Sequence, residues 1–262
     1  MMFSKKSLGQ NFLHDPNIIR KIVNLVNIKN RNVIEIGPGK GSLTEEILNR
    51  KPSNLFVIEK DNDLARYLKQ KYKNNKLIKI YNEDVLKTNF DKIDTKRPVI
   101  FGNLPYNISS QILIKVIKLK KWPPKFSDIV FMFQKELGEK IIGKFFSSNY
   151  GRLSIITNYR LEVCKKFLVS PNCFIPKPKV ESMIIHFKPK LKKIFKIKDL
   201  ENLERVTNIL FSNKRKMINK NIRKILINEK IKKIKNINLK SRPSELRPEI
   251  FYKITELFEE NN

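Results

Sequence analysis

Asn32-Val33-Ile34-Glu35-Ile36-Gly37-Pro38-Gly39-Lys40-Gly41 is an apolar, β-branched run that passes into three alternating glycines, and a helical pattern resumes from Ser42 to Leu48. A strand, a glycine turn and a helix in this order open a nucleotide-binding βα unit. Ser42 stands where a dinucleotide-binding turn would carry its third glycine. That spacing argues against a dinucleotide and for a shorter, phosphate-free ligand.

Working outward, Leu55-Phe56-Val57-Ile58-Glu59 is a second buried run that ends in an acid. It lies about 20 residues beyond the glycines, where a ribose-binding carboxylate is expected. Leu64 and Leu68 mark a helix, and Leu77-Ile78-Lys79-Ile80-Tyr81 is a third strand closing on Asn82-Glu83-Asp84. Asp84 could accept from an adenine amino group. Taken singly, each acid reads as well as a loop residue or a helix cap. Polar residues at three successive strand ends favour a ligand, because open parallel sheets bind at the carboxyl ends of their strands.

The fourth strand, Val99-Ile100-Phe101, runs into Gly102-Asn103-Leu104-Pro105-Tyr106. Gly102 is expected to end it with a sharp turn. The Asn103 amide and a main-chain carbonyl beside Pro105 would supply two acceptors for an amino group, and Tyr106 a flat face for a planar base. A glycine-asparagine turn capped by a buried tyrosine is the other reading of the same residues.

Asp128 to Phe133 forms a fifth strand, followed by a helix around Leu137 and Ile141 and another opened by Tyr150-Gly151-Arg152-Leu153. Leu161 to Phe167 and Glu181 to Phe187 read as a late antiparallel pair. Between them, the loop from Phe174 to Val180 is stiffened by Pro176 and Pro178. Phe174 either presents its ring or anchors the loop in the core. Near the start, Gln10-Asn11-Phe12-Leu13 carries two large apolar side chains that should pack on something, and Asp15-Pro16 caps a helix with apolar residues from Ile18 to Val26.

From Pro189 strand patterns vanish and Lys, Ile and Asn dominate, which places a domain boundary near residue 188: 1–188 for the sheet, 189–262 for helices. Leu203, Val206 and Leu210 share one helix, Ile218, Ile222, Ile225 and Leu226 another, and Pro248 starts a third. Lys214-Arg215-Lys216, with Lys220, Arg223 and Lys224 following, places positive charge at a helix start, against the helix dipole. The cluster is either a phosphate site or a solvated face.

The chain has 262 residues, 40% apolar, and a formal charge of +30 from 55 basic and 25 acidic residues. Such an excess points to a polyanionic partner, nucleic acid first. The preference for Lys over Arg, with abundant Ile and Asn, fits A/T-rich coding, so part of the charge is compositional. No run approaches the ~18 apolar residues of a membrane helix. Met1 to Lys6 has charge without a following apolar stretch, so no leader and a cytosolic location are expected. Cys164, Cys173, His14 and His186 lack metal-ligand spacing, read as structural, and leave no metal site expected.

Together, Gln10-Asn11-Phe12-Leu13, Glu35-Ile36-Gly37-Pro38-Gly39, Asn103-Leu104-Pro105-Tyr106-Asn107, Tyr150-Gly151-Arg152-Leu153, the Phe174 to Val180 loop and Lys214-Arg215-Lys216 resemble the motifs, in order, of the small-subunit (16S) ribosomal RNA adenine dimethyltransferases. The resemblance covers nearly the whole chain. It implies an α/β fold: a Rossmann-like S-adenosylmethionine-dependent methyltransferase sheet with a smaller all-helical C-terminal domain. It implies that Asn11, Leu13, Gly37, Glu59, Asp84 and Asn103 hold S-adenosylmethionine. Asn103, Leu104, Pro105 and Tyr106 would form the catalytic loop, with Phe174 stacking on the target adenine, and Lys214, Arg215, Lys216 and Arg223 would contact RNA. The implied partner is the small ribosomal subunit precursor, met in the cytoplasm by a monomer. A large-subunit rRNA methyltransferase shares the fold, but Leu104 and the basic cluster favour the small subunit. An assembly factor without activity would not need an intact Asn103 loop. Lys40 after Gly39 and Arg247 before Pro248 depart from the family pattern, the latter forfeiting a helix cap worth ~1 kcal/mol.

Overall fold

The computed structural model describes residues 10–90, 93, 95–192 and 194–260. The absence of a leader expected for residues 1–6 and the start of the N-terminal loop at residues 7–9 lie outside them. A short β1 (Phe12–Leu13) precedes α1 (Pro16–Val23), where Asp15 accepts from the backbone N–H groups of Asn17 and Ile18 and Pro16 occupies the first turn, as expected. The βα units follow: β2 (Asn32–Ile36), α2 (Ser42–Asn49), β3 (Asn54–Glu59), α3 (Asn62–Lys71), β4 (Ile78–Asn82), β5 (Val99–Asn103), α4 (Ser109–Ile117), β6 (Asp128–Gln134) and α5 (Lys135–Ile141). Then come α6 (Arg152–Arg160), β7 (Leu161–Val169), β8 (Phe174–Ile175), β9 (Ser182–Pro189), α7 (Leu200–Phe211), α8 (Asn219–Ile222), α9 (Asn228–Lys232) and α10 (Pro248–Glu259).

Seven strands form one sheet in the order β4-β3-β2-β5-β6-β9-β7. The first five run parallel, and β9 is antiparallel to β6. Val33, Val57, Phe101, Phe131 and Phe133 are fully buried, as central parallel strands covered on both faces require. The order makes the chain step outward from β2 to β3 and β4, then return to the other side of β2 with β5. That reversal is the topological switch point at which such sheets bind ligands. Among the described residues no helix is long and apolar enough to cross a membrane.

The chain divides into two compact units. One runs to Val116 and adds Pro123–Gly138 and Glu162–Pro189; it holds the sheet. The other takes Ile117–Trp122, Glu139–Leu161 and the chain from Lys190 onward. The last crossing lies close to the expected boundary at 188, but two earlier stretches join the second unit, and one of them carries the whole of α6. Inside this unit the buried Glu259 carboxylate accepts from the N–H groups of Lys198 and Asp199 and from Asn202 Nδ2, holding the start of α7 against α10. Phe211 and Phe251 stack at 5.6 Å. The second expected helix of this region is broken: α8 has only four residues, and turns separate it from α9.

One local expectation is corrected. Gly102 does not end its strand; β5 continues through it to Asn103. Its lack of a side chain makes room instead, since a Cβ would lie 2.6 Å from Leu104 Cδ2 and 3.2 Å from Phe131 Cδ1. Gly102→Ala should therefore destabilise the fold by roughly 1–3 kcal/mol through overpacking. Urea unfolding of the variant measures this, and an unchanged midpoint would show that Leu104 moves aside freely.

Candidate active site

A cavity opens at the carboxyl edge of the sheet, at the switch point, lined in part by Asn11, Leu13, Gly37, Glu59, Asp84 and Asn103. Leu104, Pro105 and Tyr106 complete that side of the wall. Ile36 is opposite Gly102 in the β2–β5 register, so Gly37 and Asn103 leave the sheet together. Gly37, Gly39 and Gly41 have φ values of 67°, 59° and 85°, the left-handed region that favours glycine. A Cβ on Gly39 would lie 2.8 Å from the Phe12 ring. The N-terminal segment thus lies on the glycine turn, which is what its apolar side chains pack against, and Lys40 Nζ stands 5.1 Å from the same ring.

That segment also fixes the Asn103 loop. Asn103 Nδ2 donates to the Asn11 carbonyl at 3.2 Å, so Oδ1 is the acceptor the side chain offers to the cavity. Tyr106 is half-buried and hydrogen-bonded through its hydroxyl to Ser182 Oγ at 2.6 Å, which holds the ring; burial raises its pKa. The Pro105 carbonyl accepts from Ile108 N–H at 3.2 Å in the turn that leads into α4. Phe174 is the expected stacking residue that is not in the wall. It is 2% exposed, sits opposite Leu13 in the β1–β8 pair, and belongs to the core cluster, while the next residue, Ile175, points outward. Strand alternation turns one of the two inward, and it is the phenylalanine.

The basic cluster lies in the second unit. Lys214, Arg215 and Lys216 are exposed in the turn after α7, and Arg223 is exposed just after α8. With α8 so short, the dipole argument for this cluster does not hold; its exposure remains. His186 is buried with Nε2 2.9 Å from Asp128 Oδ1, and Arg31 pairs with the other carboxylate oxygen. This cluster lies at the start of β6, at the opposite edge of the sheet from the cavity. Both cysteines are free thiols, and no metal-binding group of residues occurs among the described residues.

Five carboxylates gather at the cavity and its rim: Glu35, Glu59, Glu83 and Asp84 line it, and Asp61 lies behind Glu59. Glu59 is buried, with Oε1 accepting from Asp61 N–H at 2.8 Å and Oε2 from Gly39 N–H at 3.3 Å; burial raises its pKa against these bonds. Asp61 caps α3 and accepts from Gln10 Nε2. Asp84 pairs with Lys60 Nζ at 2.8 Å, and this bond lowers its pKa. Glu35 was not singled out from the sequence, where its place inside an apolar strand gives no signal beyond the charge itself. It is 1% exposed, lines the cavity, and accepts from Thr44 Oγ1 at 2.6 Å through Oε2, while buried Oε1 has no hydrogen-bond partner among the described residues. Burial pushes its carboxyl up to about 8, the Thr44 bond opposing and Glu59 adding to the shift. A carboxyl raised in the folded state keeps its proton after the unfolded chain has lost its own, so stability falls as pH rises between the two values. Glu35→Gln should remove that loss: the variant's stability relative to wild type should grow by up to roughly 1.4 kcal/mol per pH unit between about pH 5 and 8, then level off. Urea titrations at a series of pH values test this, and a pH-independent difference would mean that Glu35 is ionised.

A family profile described as Ribosomal RNA adenine dimethylase matches residues 2–260. The chain is 45% identical over 258 residues to the Ribosomal RNA small subunit methyltransferase A of Pelagibacter ubique, covering 98% of this chain and 97% of that one. It is 38% identical over 261 residues to the protein of the same name from Mycoplasma mobile, covering 98% of both. Among solved structures, a dimethyladenosine transferase from Plasmodium falciparum superposes with a TM-score of 0.77 at 27% identity, covering 93% of this chain and 95% of that one. The 23S rRNA methyltransferase ErmE shares the fold, with a TM-score of 0.71 at 23% identity over 95% of this chain and all of that one. With the switch-point cavity and its asparagine loop in place, these matches show that the chain belongs to the ribosomal RNA adenine dimethylase family.

Proposed function

We propose that this chain dimethylates the exocyclic amino groups of two adjacent adenines near the 3' end of small-subunit ribosomal RNA, using S-adenosylmethionine, during ribosome biogenesis in the cytoplasm. The observation that carries this reading is the Asn103 amide, oriented by the Asn11 carbonyl so that its oxygen serves the cavity. The names of the relatives favour the small subunit.

The wall suits the cofactor. Gly37 and Gly39 line the cavity with backbone alone, and the acids at the rim match a ligand that carries an ammonium, a sulfonium and ribose hydroxyls. Glu59, held by two backbone N–H groups, keeps lone pairs for the ribose hydroxyls, and Asp84 is placed to accept from the adenine amine. Asn11, Leu13 and Gly37 would close around the rest. S-adenosylmethionine supplies a methyl group on a sulfonium that departs as a neutral thioether.

The chain's own residues supply positioning. An adenine amine is a poor nucleophile because its lone pair is delocalised into the ring. Asn103 Oδ1 and one main-chain carbonyl would accept its two hydrogens, turning the lone pair out of conjugation and stabilising the positive charge that develops on nitrogen. That carbonyl would be Leu104's or Pro105's, the latter already accepting one bond from Ile108 N–H with one of its two lone pairs. Tyr106, held by Ser182, would stack on the extruded base. The spare proton can pass to water afterwards, and among the described residues no histidine lines the cavity.

Transfer of labelled methyl groups to unmethylated small subunits tests the reading. Asn103→Ala should lower the single-turnover rate by roughly 10²–10³-fold while particle binding persists. A rate near wild type would place the catalytic group elsewhere.

Lys214, Arg215 and Lys216 are proposed to meet RNA phosphates, with Arg223 beside them. Replacing the first three with Ala should weaken particle binding and lower the salt-dependence slope by up to about 3, at about 0.9 per phosphate contact, with cofactor affinity unmoved. An unchanged slope would make the cluster a solvated face.

A further inference from the structure

The turn between α5 and α6 presents an aromatic side chain to solvent. Phe146 is 75% exposed and has a φ of 67°, a left-handed backbone that a bulky side chain adopts only under constraint. The constraint is visible on both sides of it. Gly143 lies so close to Asn149 that a Cβ would come within 2.3 Å of its carbonyl oxygen. Ser147 donates twice to the Lys144 carbonyl, from its N–H at 2.9 Å and its hydroxyl at 2.7 Å. Tyr150 N–H returns to the Ser147 carbonyl, and the buried Tyr150 hydroxyl donates to the Leu246 carbonyl at 2.9 Å.

Phe145 props the tip from beneath. Its ring meets Tyr150 edge-on at 5.7 Å, carries the Arg247 guanidinium 5.8 Å away, and lies 4.3 Å from the Phe146 ring. The residues that flank Phe146 along the turn are polar and cationic: Lys144, Ser147, Ser148 and Arg152 are all exposed, and Arg247 stands on the neighbouring Phe145 ring. A protein partner that buried this ring would need an apolar rim, which the turn lacks. An aromatic platform flanked by cations is how unstacked bases are held. A ring already fixed in place loses little freedom on binding.

We propose that Phe146 stacks on an unpaired base of the RNA substrate, at a contact built from residues that do not line the methyl-transfer cavity, with Lys144 and Arg152 on flanking phosphates. This rests on the reading that the substrate is RNA. Filter binding of unmethylated small subunits to the full-length protein tests it. Phe146→Ala should weaken binding by about 5- to 100-fold with the salt slope unchanged, because a lost stack is not ionic, and Phe146→Trp should bind as wild type does. A photoreactive benzoylphenylalanine at position 146 should crosslink to ribosomal RNA. An alanine variant that binds as tightly as wild type overturns the proposal, and so does a crosslink to a ribosomal protein. Methylation of the same particles by the wild-type protein is scored in parallel. Particles that are methylated while Phe146→Ala binds normally sink only the stacking contact; particles that accept no methyl sink the parent reading.

Discussion

The parallel register between β2 and β5 is the constraint on which the site depends. It aligns Ile36 with Gly102, so that Gly37 and Asn103 emerge side by side where the strand order reverses. Gly37 turns away in a left-handed conformation, and a Cβ there would already lie 3.5 Å from the Asn103 carbonyl. A slip of one residue would turn every side chain of the strand to the other face. Asn103 would leave the cavity, and Glu35 would leave its hydroxyl partner on α2. Burial of β2 and β5 on both faces is what makes such a slip costly.

The register brings Asn103 to the cavity but does not orient its amide. Orientation comes from Asn11, 92 residues away in sequence. The segment that carries Asn11 is tied by the β1–β8 pair and by His14 N–H donating to the Cys173 carbonyl at 3.0 Å. Phe174 gains a role here that differs from stacking. Buried opposite Leu13, it anchors the strand that holds this segment over the glycine turn, and so supports the amide's orientation at one remove.

Much of this was legible in the residues. The five parallel strands, the Asp15-Pro16 helix start and the glycine turn are local patterns with local causes, and the structure has them where the pattern puts them. Hydrophobic runs reveal that a strand is buried, but not which neighbour crowds it, so Gly102 read as a turn when its purpose is space for Leu104. The inward turn of Phe174 depends on a two-residue pairing between distant segments, which no periodicity records. Glu35 was silent for the same reason, since its significance lies in an unpartnered oxygen. The helix expected across Ile218 to Leu226 failed differently. Its apolar positions are all buried, but the backbone breaks into short turns between them, and burial alone cannot distinguish the two.

Charge is divided in a way that composition hides. A chain with a formal charge of +30 places Glu35, Glu59, Glu83 and Asp84 around one cavity, against Lys40 and Lys60, with Asp61 behind the rim. Burial and mutual repulsion would drive Glu35 to keep its proton, while Lys60 keeps Asp84 ionised. A cationic ligand entering such a cavity relieves repulsion among carboxylates, whereas a phosphate-bearing one would add to it. The exterior has the opposite preference, since its lysines and arginines release counterions only when they meet a polyanion. On the proposed function, the two surfaces would sort two ligands by charge: the cation would be drawn inward and the nucleic acid kept outside. Only a base freed from its own backbone's geometry would then cross from one environment to the other, and the loop at the boundary has what such a base would need, neutral acceptors and an aromatic face in place of charges.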